Sequence, residues 1–284
     1  MIAYFMLVHR YPNQFKRLFK SIYHEKNYYV IHVDKRTDNI IFDDICLFLK
    51  DYKNASMLER KDTIWGGYSL VDAQLRGIER LVSSKVEWSY FINLSGQDFP
   101  LKNQIFIMDY LNKFDGYEFI KIVDQLLVRP ETMHRIKDYT QEINGKLVIS
   151  TTSNRTFLKG VRPYIGNQWM ILSKRFCDFI TYNPEVKKFK DFYRNTLIAD
   201  ESFFQTILMN TTFKSKIIND DKREIDWVEA SDIKLRPRDF LSKDSERLIN
   251  SDNLFARKFD ENVDGDILNI LEHELNLSDI STLA

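Results

Sequence analysis

Short apolar runs alternate with helical patterns of apolar residues along the first half of the chain. Phe15, Leu18, Phe19 and Ile22 recur every three or four positions, which places them on one face of a helix. We predict strands over residues 2–8, 28–33, 88–94 and 169–172, and helices over residues 12–23, 39–52, 69–82 and 200–208. Ser69 and Asp200 are of the residue types that cap helix N-termini, so we expect each to cap its helix.

This alternation predicts an α/β fold with a largely parallel sheet flanked by helices. The sequence has no internal repeat and no linker-like segment, so we expect one domain over residues 1–284. Two predicted strands end in polar segments that contain Asp34 and Asp98. Ligands of open α/β sheets bind beyond the carboxyl ends of the strands, so we expect a nucleotide near these residues. The alternative is that both aspartates only cap turns.

Composition narrows the class of protein. The formal net charge is zero, which gives no electrostatic reason to expect a nucleic-acid partner. Cys46 and Cys177 form no CxxC pair and are expected to be reduced thiols of a cytoplasmic protein. No apolar run is long enough to span a membrane, and residues 2–8 are predicted to be a first strand and not a signal peptide. Any membrane contact is therefore expected to be peripheral.

Familiar phosphate and metal motifs are missing from the sequence. There is no GxGxxG, GxxxxGK[ST] or HExxH segment. An Asp-X-Asp triplet occurs at Asp264 and Asp266, far from the predicted strand ends where a metal bridging a diphosphate would be needed. We therefore predict a turn and helix start there and no metal. Fixed cations would then neutralise a phosphate leaving group, and the C-terminal third supplies candidates: Lys234, Arg236, Arg238, Arg257 and Lys258.

Glu201 is the candidate general base. With Asp200 as the N-cap, Glu201 would fall in the first helical turn, where the helix dipole stabilises a carboxylate by ~0.3–1 kcal/mol. An ionised Glu201 could accept a proton. The alternative is a favourable partner of the dipole with no chemical role, since acidic residues are common in first turns.

Six sequence blocks, in order, extend over nearly the whole chain. The blocks are Ile31-His32-Val33-Asp34-Lys35; Trp65-Gly66-Gly67-Tyr68-Ser69-Leu70-Val71-Asp72-Ala73; Tyr90-Phe91-Ile92-Asn93-Leu94-Ser95-Gly96-Gln97-Asp98-Phe99-Pro100-Leu101-Lys102; Gly166-Asn167-Gln168-Trp169; Asp200-Glu201; and Leu254-Phe255-Ala256-Arg257-Lys258-Phe259-Asp260. Together they resemble the core-2/I-branching β-1,6-N-acetylglucosaminyltransferase and peptide O-xylosyltransferase family (glycosyltransferase family 14).

The resemblance implies a GT-A-type fold with a Rossmann-like sheet, a nucleotide-sugar donor that is usually UDP-linked, inversion at the anomeric carbon and no metal requirement. The family's catalytic Glu follows a Pro-Asp pair, and here it falls on Glu201 with Ala199 in place of the proline. The family's diphosphate-binding Lys falls on Lys258. Its diphosphate-binding Arg falls on Arg238, or on Arg236 because the spacing is shorter here.

The remaining site assignments also follow from the resemblance. His9 and Asp34 are assigned to the nucleotide and donor site, and Asp98 is placed near the donor or acceptor sugar. The acceptor pocket is assigned Trp227, Trp169 and Asp200.

Animal members of the family carry an anchor, a stem and many cysteines, so this chain resembles a compact bacterial-type relative. It is expected to act in the cytoplasm or peripherally at the inner face of the cytoplasmic membrane, on a glycan or lipid-linked glycan of a surface polysaccharide. The donor sugar stays open among N-acetylglucosamine, xylose and other hexoses. Two other classes are alternatives: a sugar nucleotidyltransferase, which would normally need a glycine-rich phosphate loop and a metal-binding acid pair, and a non-catalytic glycan-binding module.

Overall fold

The computed structural model describes residues 1–84, 86–152, 155–230 and 233–282. For residues 230, 233–235 and 278–282 only the backbone is described. The side chain of Lys234, one of the predicted cations, therefore lies outside the described part.

The described residues form short strands and helices that alternate along the chain. The strands are β1 (Ile2–Val8), β2 (Tyr28–Val33), β3 (Ala55–Met57), β4 (Tyr90–Ser95), β5 (Asp98–Pro100), β6 (Glu118–Ile120), β7 (Val123–Asp124), β8 (Tyr139–Ile143), β9 (Lys146–Ser150), β10 (Tyr164–Ile165), β11 (Met170–Ser173), β12 (Ile217–Ile218), β13 (Arg223–Ile225), β14 (Trp227–Ala230), β15 (Ile233–Pro237) and β16 (Phe255–Arg257). The helices are α1 (Pro12–Ile22), α2 (Asn39–Leu49), α3 (Ser69–Ser83), α4 (Gln104–Asn112), α5 (Gln125–Val128), α6 (His134–Lys137), α7 (Lys174–Tyr182), α8 (Val186–Tyr193), α9 (Phe203–Met209), α10 (Ser245–Ile249) and α11 (Asp266–Thr282).

The main sheet has the strand order β12-β6-β11-β4-β1-β2-β3. β1 lies near its centre and pairs in parallel with β2 and with β4. The one antiparallel strand in this order is β11, which runs against both β4 and β6. Strands that are buried on both faces are expected to be continuously apolar, and β1 is buried along almost its full length. The prediction of an α/β fold with a mostly parallel sheet is confirmed.

The hydrophobic core lies on both faces of this sheet. Alternate residues of β1 point to opposite faces, so Tyr4 and Met6 enter one cluster with side chains of α1, α2 and α11, while Ala3 and Phe5 enter another with α3, α7 and α9.

The prediction that Asp200 caps a helix is wrong. Ala199–Glu201 forms a separate 3₁₀ turn, and α9 begins only at Phe203. The reason is the preceding residue, Ile198, whose backbone is left-handed (φ 52°) and whose N–H donates to the carbonyl of Gly66 at 2.7 Å. Glu201 therefore precedes the helix, and the helix dipole does not explain how its charge is stabilised.

Two other local predictions have opposite outcomes. Ser69 does not cap α3, because it is the first helical residue and its hydroxyl accepts the N–H of Ile64 at 2.8 Å. The Asp-X-Asp triplet is a turn and helix start, as predicted: Asp264 accepts N–H groups at the start of α11, including that of Asp266 at 3.0 Å, and binds the hydroxyl of Ser242. Among the described residues, none of the helices is both long and apolar enough to span a bilayer.

Candidate functional site

A cleft of about 490 Å³ opens at the carboxyl ends of β1, β2 and β4. His9 follows β1, Asp34 follows β2, Ser95 ends β4, and Gln97 lies in the next turn; all four line the cleft. The strand-end location expected for a nucleotide thus coincides with a cavity of ligand size.

Asp34 forms the centre of a turn at the cleft. Its carboxylate accepts the backbone N–H of Arg36 at 2.8 Å and the Arg36 Nη2 at 2.9 Å, and the backbone N–H of Thr63 at 3.2 Å. Burial alone would raise the pKa of Asp34, but the hydrogen bonds from Arg36 and Thr63 outweigh it and hold the pKa at about 2. Asp34 is therefore ionised, and it fixes the half-exposed Arg36 at the cleft wall.

Two guanidinium groups flank Trp169 at the cleft. The guanidinium carbon of Arg257 lies 4.3 Å from the centroid of the Trp169 ring, and that of Arg223 lies 5.1 Å from it. Arg257 donates through Nη1 to Ser95 Oγ at 2.8 Å and to Asp98 Oδ1 at 2.6 Å. Asp98 is fully buried, so its contribution is to anchor Arg257 and not to touch a ligand directly. The other N–H groups of Arg257 are left for a ligand in the cleft.

Positive charge surrounds His9. Burial lowers the pKa of His9, the charge of Arg10 lowers it further, and Arg257 and Lys258 act in the same direction against the opposing effect of Asp34. The predicted donor residue His9 and the predicted diphosphate residue Lys258 therefore belong to one electrostatic neighbourhood. A cleft edge with this charge is suited to an anionic ligand.

Arg238 has a different environment. Its guanidinium binds Asp244 with two bonds of 2.7 and 2.8 Å and Asp226 with one of 2.6 Å, and this pairing lowers the pKa of Asp244 to about 2. Arg236 is exposed on β15. Neither arginine lines the cleft. The chain just beyond Arg238 contacts Lys258, whose carbonyl accepts the N–H of Phe240 at 2.8 Å and whose Nζ lies 3.5 Å from Asp239 Oδ1; Lys258 follows the lining residue Arg257 but is not itself a lining residue.

Glu201 is held by an arginine that the sequence analysis did not identify. Nη1 of Arg135, on α6, donates to Glu201 Oε2 at 2.7 Å. The two side chains are 17% and 29% exposed, so the ion pair is shielded but reachable from solvent. Arg135 takes over the charge-stabilising role that the sequence analysis gave to the helix dipole.

Backbone hydrogen bonds connect the Glu201 turn to two segments of the cleft wall. The carbonyl of Glu201 accepts the N–H of Gly166 at 2.8 Å, and Gly166 begins the short segment that carries Trp169 into the cleft. Gly66, which accepts the N–H of Ile198, follows Trp65, an exposed cleft residue. The Glu201 turn is therefore attached to the wall of the cleft, although Glu201 itself is not among the lining residues.

The three predicted acceptor residues do not form one pocket. Trp169 is only 2% exposed and belongs to the cleft. Asp200 is buried beside Glu201, its Oδ1 has no hydrogen-bond partner, and burial together with the charge of Glu201 raises its pKa to about 7. Trp227 lies on β14 opposite Pro237 and does not line the cleft.

Several residues that line the cleft were not predicted from the sequence. Three of them lie within or next to the sequence blocks that resemble the family: Arg36, Trp65 and Gln97. Their place in or beside those blocks could have identified them. Arg135 carried no such signal, because it is 66 residues from Glu201. Within the described part of the chain, no three His, Cys, Asp or Glu side chains are arranged to hold a metal ion.

Comparison with protein families gives one match over most of the chain, the family described as "Core-2/I-Branching enzyme", at residues 2–248. Among curated proteins, a xylosyltransferase of Ciona intestinalis is 31% identical over 96% of this chain and 34% of its own length. Xylosyltransferase 2 of Rattus norvegicus is 30% identical over 96% of this chain and 33% of its own length. The chain thus spans about a third of the length of the curated relatives it matches.

Solved structures that match this chain include the galactosyltransferase LgtC (11% identity, 76% of this chain and 72% of that chain, TM-score 0.40). Mouse xyloside xylosyltransferase 1 is a second (12% identity, 75% of this chain and 83% of that chain, TM-score 0.36). The family match and the xylosyltransferase relatives agree with the resemblance read from the six sequence blocks. The chain belongs to the Core-2/I-Branching enzyme family of glycosyltransferases.

Proposed function

We propose that this chain is a single-domain, inverting glycosyltransferase that transfers a sugar from a UDP-sugar to a glycan hydroxyl without a metal ion. One observation carries the proposal: a strand-end cleft with cationic and aromatic walls has a carboxylate, Glu201, on a turn bonded to two of its wall segments. The cleft is suited to a nucleotide diphosphate, and the carboxylate to a proton acceptor.

The reaction is a direct displacement. Glu201 takes the proton of the acceptor hydroxyl while the hydroxyl oxygen forms a bond to the anomeric carbon of the donor sugar. The bond from that carbon to the diphosphate oxygen breaks on the opposite face, and its electron pair leaves with UDP. A positioned general base contributes ~10²–10⁴-fold in rate, and each fixed positive charge near the leaving oxygen stabilises the transition state further.

Lys258 and Arg257 are the cations that we propose for the leaving diphosphate. Arg257 lines the cleft and is anchored on one side by Asp98, whereas Arg238 is bound by two carboxylates outside the cleft. A guanidinium that is already balanced by two aspartates has little net charge to offer a diphosphate. We therefore propose a structural role for Arg238 and the exposed Arg236, which is to hold the chain segment that contacts Lys258.

The donor sugar, the acceptor and the cellular location are the finer parts of the proposal. Because the relatives are named xylosyltransferases, UDP-xylose is the first donor to test, followed by UDP-N-acetylglucosamine and other UDP-hexoses. We further propose a glycan or lipid-linked acceptor of a bacterial surface polysaccharide, reached from the cytoplasm with at most peripheral membrane contact.

The test combines donor binding with turnover. Purified chain is screened by thermal shift against the UDP-sugars, since a ligand at ~100 times its dissociation constant adds about 2.7 kcal/mol to stability. The best donor is then assayed for UDP release and product anomer with the wild type and Glu201→Gln. We expect the variant to bind donor normally and to lose nearly all transfer.

Three outcomes contradict the proposal in different ways. Near-wild-type turnover by Glu201→Gln would remove Glu201 as the base. Formation of a UDP-sugar from UTP and a sugar phosphate would indicate a nucleotidyltransferase. Glycan binding without any binding of UDP would indicate a non-catalytic module.

A further inference from the structure

Arg135 is the charged group that contacts the proposed base. Its Nη1 lies 2.7 Å from Oε2 of Glu201, and both side chains are less than one-third exposed. Because the bond uses Oε2, the other carboxylate oxygen is the one left to accept a proton from an acceptor hydroxyl.

The backbone of Arg135 is joined to the same turn. Its carbonyl accepts the N–H of Leu197 at 3.1 Å, just before the left-handed Ile198 that sets the Glu201 turn. Arg135 thus contacts this segment twice, through its carbonyl and through its guanidinium. A flexible surface cation that meets a carboxylate by chance has no such second attachment, and its ion pair contributes little.

Other charges near the turn explain why a cation is needed. Asp200 is buried next to Glu201 and has an oxygen with no partner, so two adjacent carboxyl groups must share this site. Arg135 acts on both, since its charge also opposes the rise in the pKa of Asp200. Of the nearby charged groups on neighbouring elements, Arg155 binds backbone carbonyls of residues 192 and 195, and Glu142 binds the N–H of Ser69. Neither is bonded to Glu201.

We infer that Arg135 is a positioning residue for transfer, which holds the Glu201 carboxylate through its guanidinium and aims the other carboxylate oxygen at the acceptor hydroxyl. This inference rests on the proposed function, because it takes Glu201 as the base. Arg135 acts through Glu201 and need not touch donor or acceptor. Without it, the charge that opposes the raised pKa of the neighbouring Asp200 would be lost, and Glu201 would lose its fixed orientation.

The experiment compares Arg135→Met, Arg135→Lys and the control Arg129→Met in the full chain with saturating donor. Arg129 is an exposed cation of the same region that pairs with Glu131 and not with Glu201. We expect Arg135→Met to lower kcat by roughly tenfold or more and to move the acidic limb of the pH–rate profile to higher pH. Arg135→Lys should return the acidic limb of the pH–rate profile to its wild-type position and recover much of kcat. Arg129→Met should have the wild-type kcat and pH–rate profile.

The outcomes separate this inference from the proposed function. Suppose that Glu201→Gln is inactive but Arg135→Met keeps the wild-type pH–rate profile. Arg135 is then not a positioning residue, both when kcat is unchanged and when only the KM for the acceptor rises. If Glu201→Gln remains active, the proposed base is wrong, independently of Arg135. If Arg135→Met does not fold, Arg135→Lys decides: a wild-type profile with partial kcat supports the inference, and failure of the lysine to support turnover in a folded, donor-binding protein overturns it.

Discussion

Replacing Asp200 with asparagine tests the electrostatics of the Glu201 turn through protein stability. Asp200 is buried, one of its oxygens lacks a partner, and its pKa is raised to about 7 by burial and by the neighbouring Glu201. The folded protein therefore keeps a proton on this side chain at a pH where the unfolded chain has released it. Stability contributed by the protonated form is present at low pH and is lost as the pH rises towards 7.

The size of the effect follows from the pKa of Asp200. A rise from 3.8 to about 7 corresponds to about 4 kcal/mol at ~1.4 kcal/mol per pH unit. About a third of this penalty is already present at pH 5, because the unfolded carboxyl is ionised there. Between pH 5 and pH 8 the wild type should therefore lose about 2–3 kcal/mol of stability relative to Asp200→Asn. Any effect of the asparagine side chain on packing is the same at both pH values, so it cancels when the stability differences at pH 5 and pH 8 are compared.

The assay is urea denaturation of both proteins at pH 5 and pH 8, with the free energy of unfolding extrapolated to water. The control is Asp191→Asn, because Asp191 is exposed and pairs only with Lys187 among the contacts described for it. The difference in the free energy of unfolding between Asp191→Asn and the wild type should be nearly independent of pH. If the difference between Asp200→Asn and wild type also stays constant within ~0.5 kcal/mol, Asp200 does not hold a proton in the folded state and the electrostatic account of the turn is wrong.

The remaining predictions concern the donor site and the cleft wall. Lys258→Met should weaken UDP binding by roughly tenfold or more, as loss of a charge-assisted contact costs ~1.5–3 kcal/mol, and unchanged affinity in a titration would argue against its role. Exhaustive chelation should leave turnover intact; strict recovery by added manganese would refute metal independence. Gly166→Ala should destabilise the chain by ~1–3 kcal/mol and lower transfer, because a Cβ there would overlap the backbone carbonyl of Lys121. Gly96→Ala is the stability control in the same thermal melts, because a Cβ there would have its nearest contact at 3.5 Å.

The buried parallel strands could be predicted because their residues are mostly apolar, as burial on both faces of the sheet requires. The observed β1 and β2 have the predicted bounds, since a strand covered on both faces is apolar along its length. The hairpin of β8 and β9 was not predicted, because its strands are largely exposed and lack such a run. Its turn did carry a signal: Asn144 and Gly145 both adopt positive φ, as Asn-Gly pairs do in tight hairpins.

The site was predictable where it follows strand ends and unpredictable where it depends on distant contacts. His9 and Asp34 meet at the cleft because the adjacent parallel strands β1 and β2 bring their carboxyl ends together, and Trp169 joins them because the antiparallel β11 begins where β4 ends. The Asp200 cap failed because a long-range bond from Ile198 imposes a left-handed residue before the helix. Arg135 is a second case of the same kind, since only the tertiary fold brings it to Glu201.

The distribution of counter-charges decides which cations can serve an anionic ligand. Arg238 is neutralised by two carboxylates, and Arg36 is tied to the ionised Asp34, so each is a structural cation first. Arg257 pairs with the buried Asp98, and burial lowers the pKa of the neighbouring Arg223, an effect that Asp98 and Asp221 oppose and that the charge of Arg257 reinforces. The two guanidinium groups therefore face two buried carboxylates, and their formal charges balance. Arg257 is the member of this cluster that lines the cleft, and its described bonds to Ser95 and Asp98 use only Nη1, so we expect its remaining N–H groups to be the ones that bind an anionic ligand.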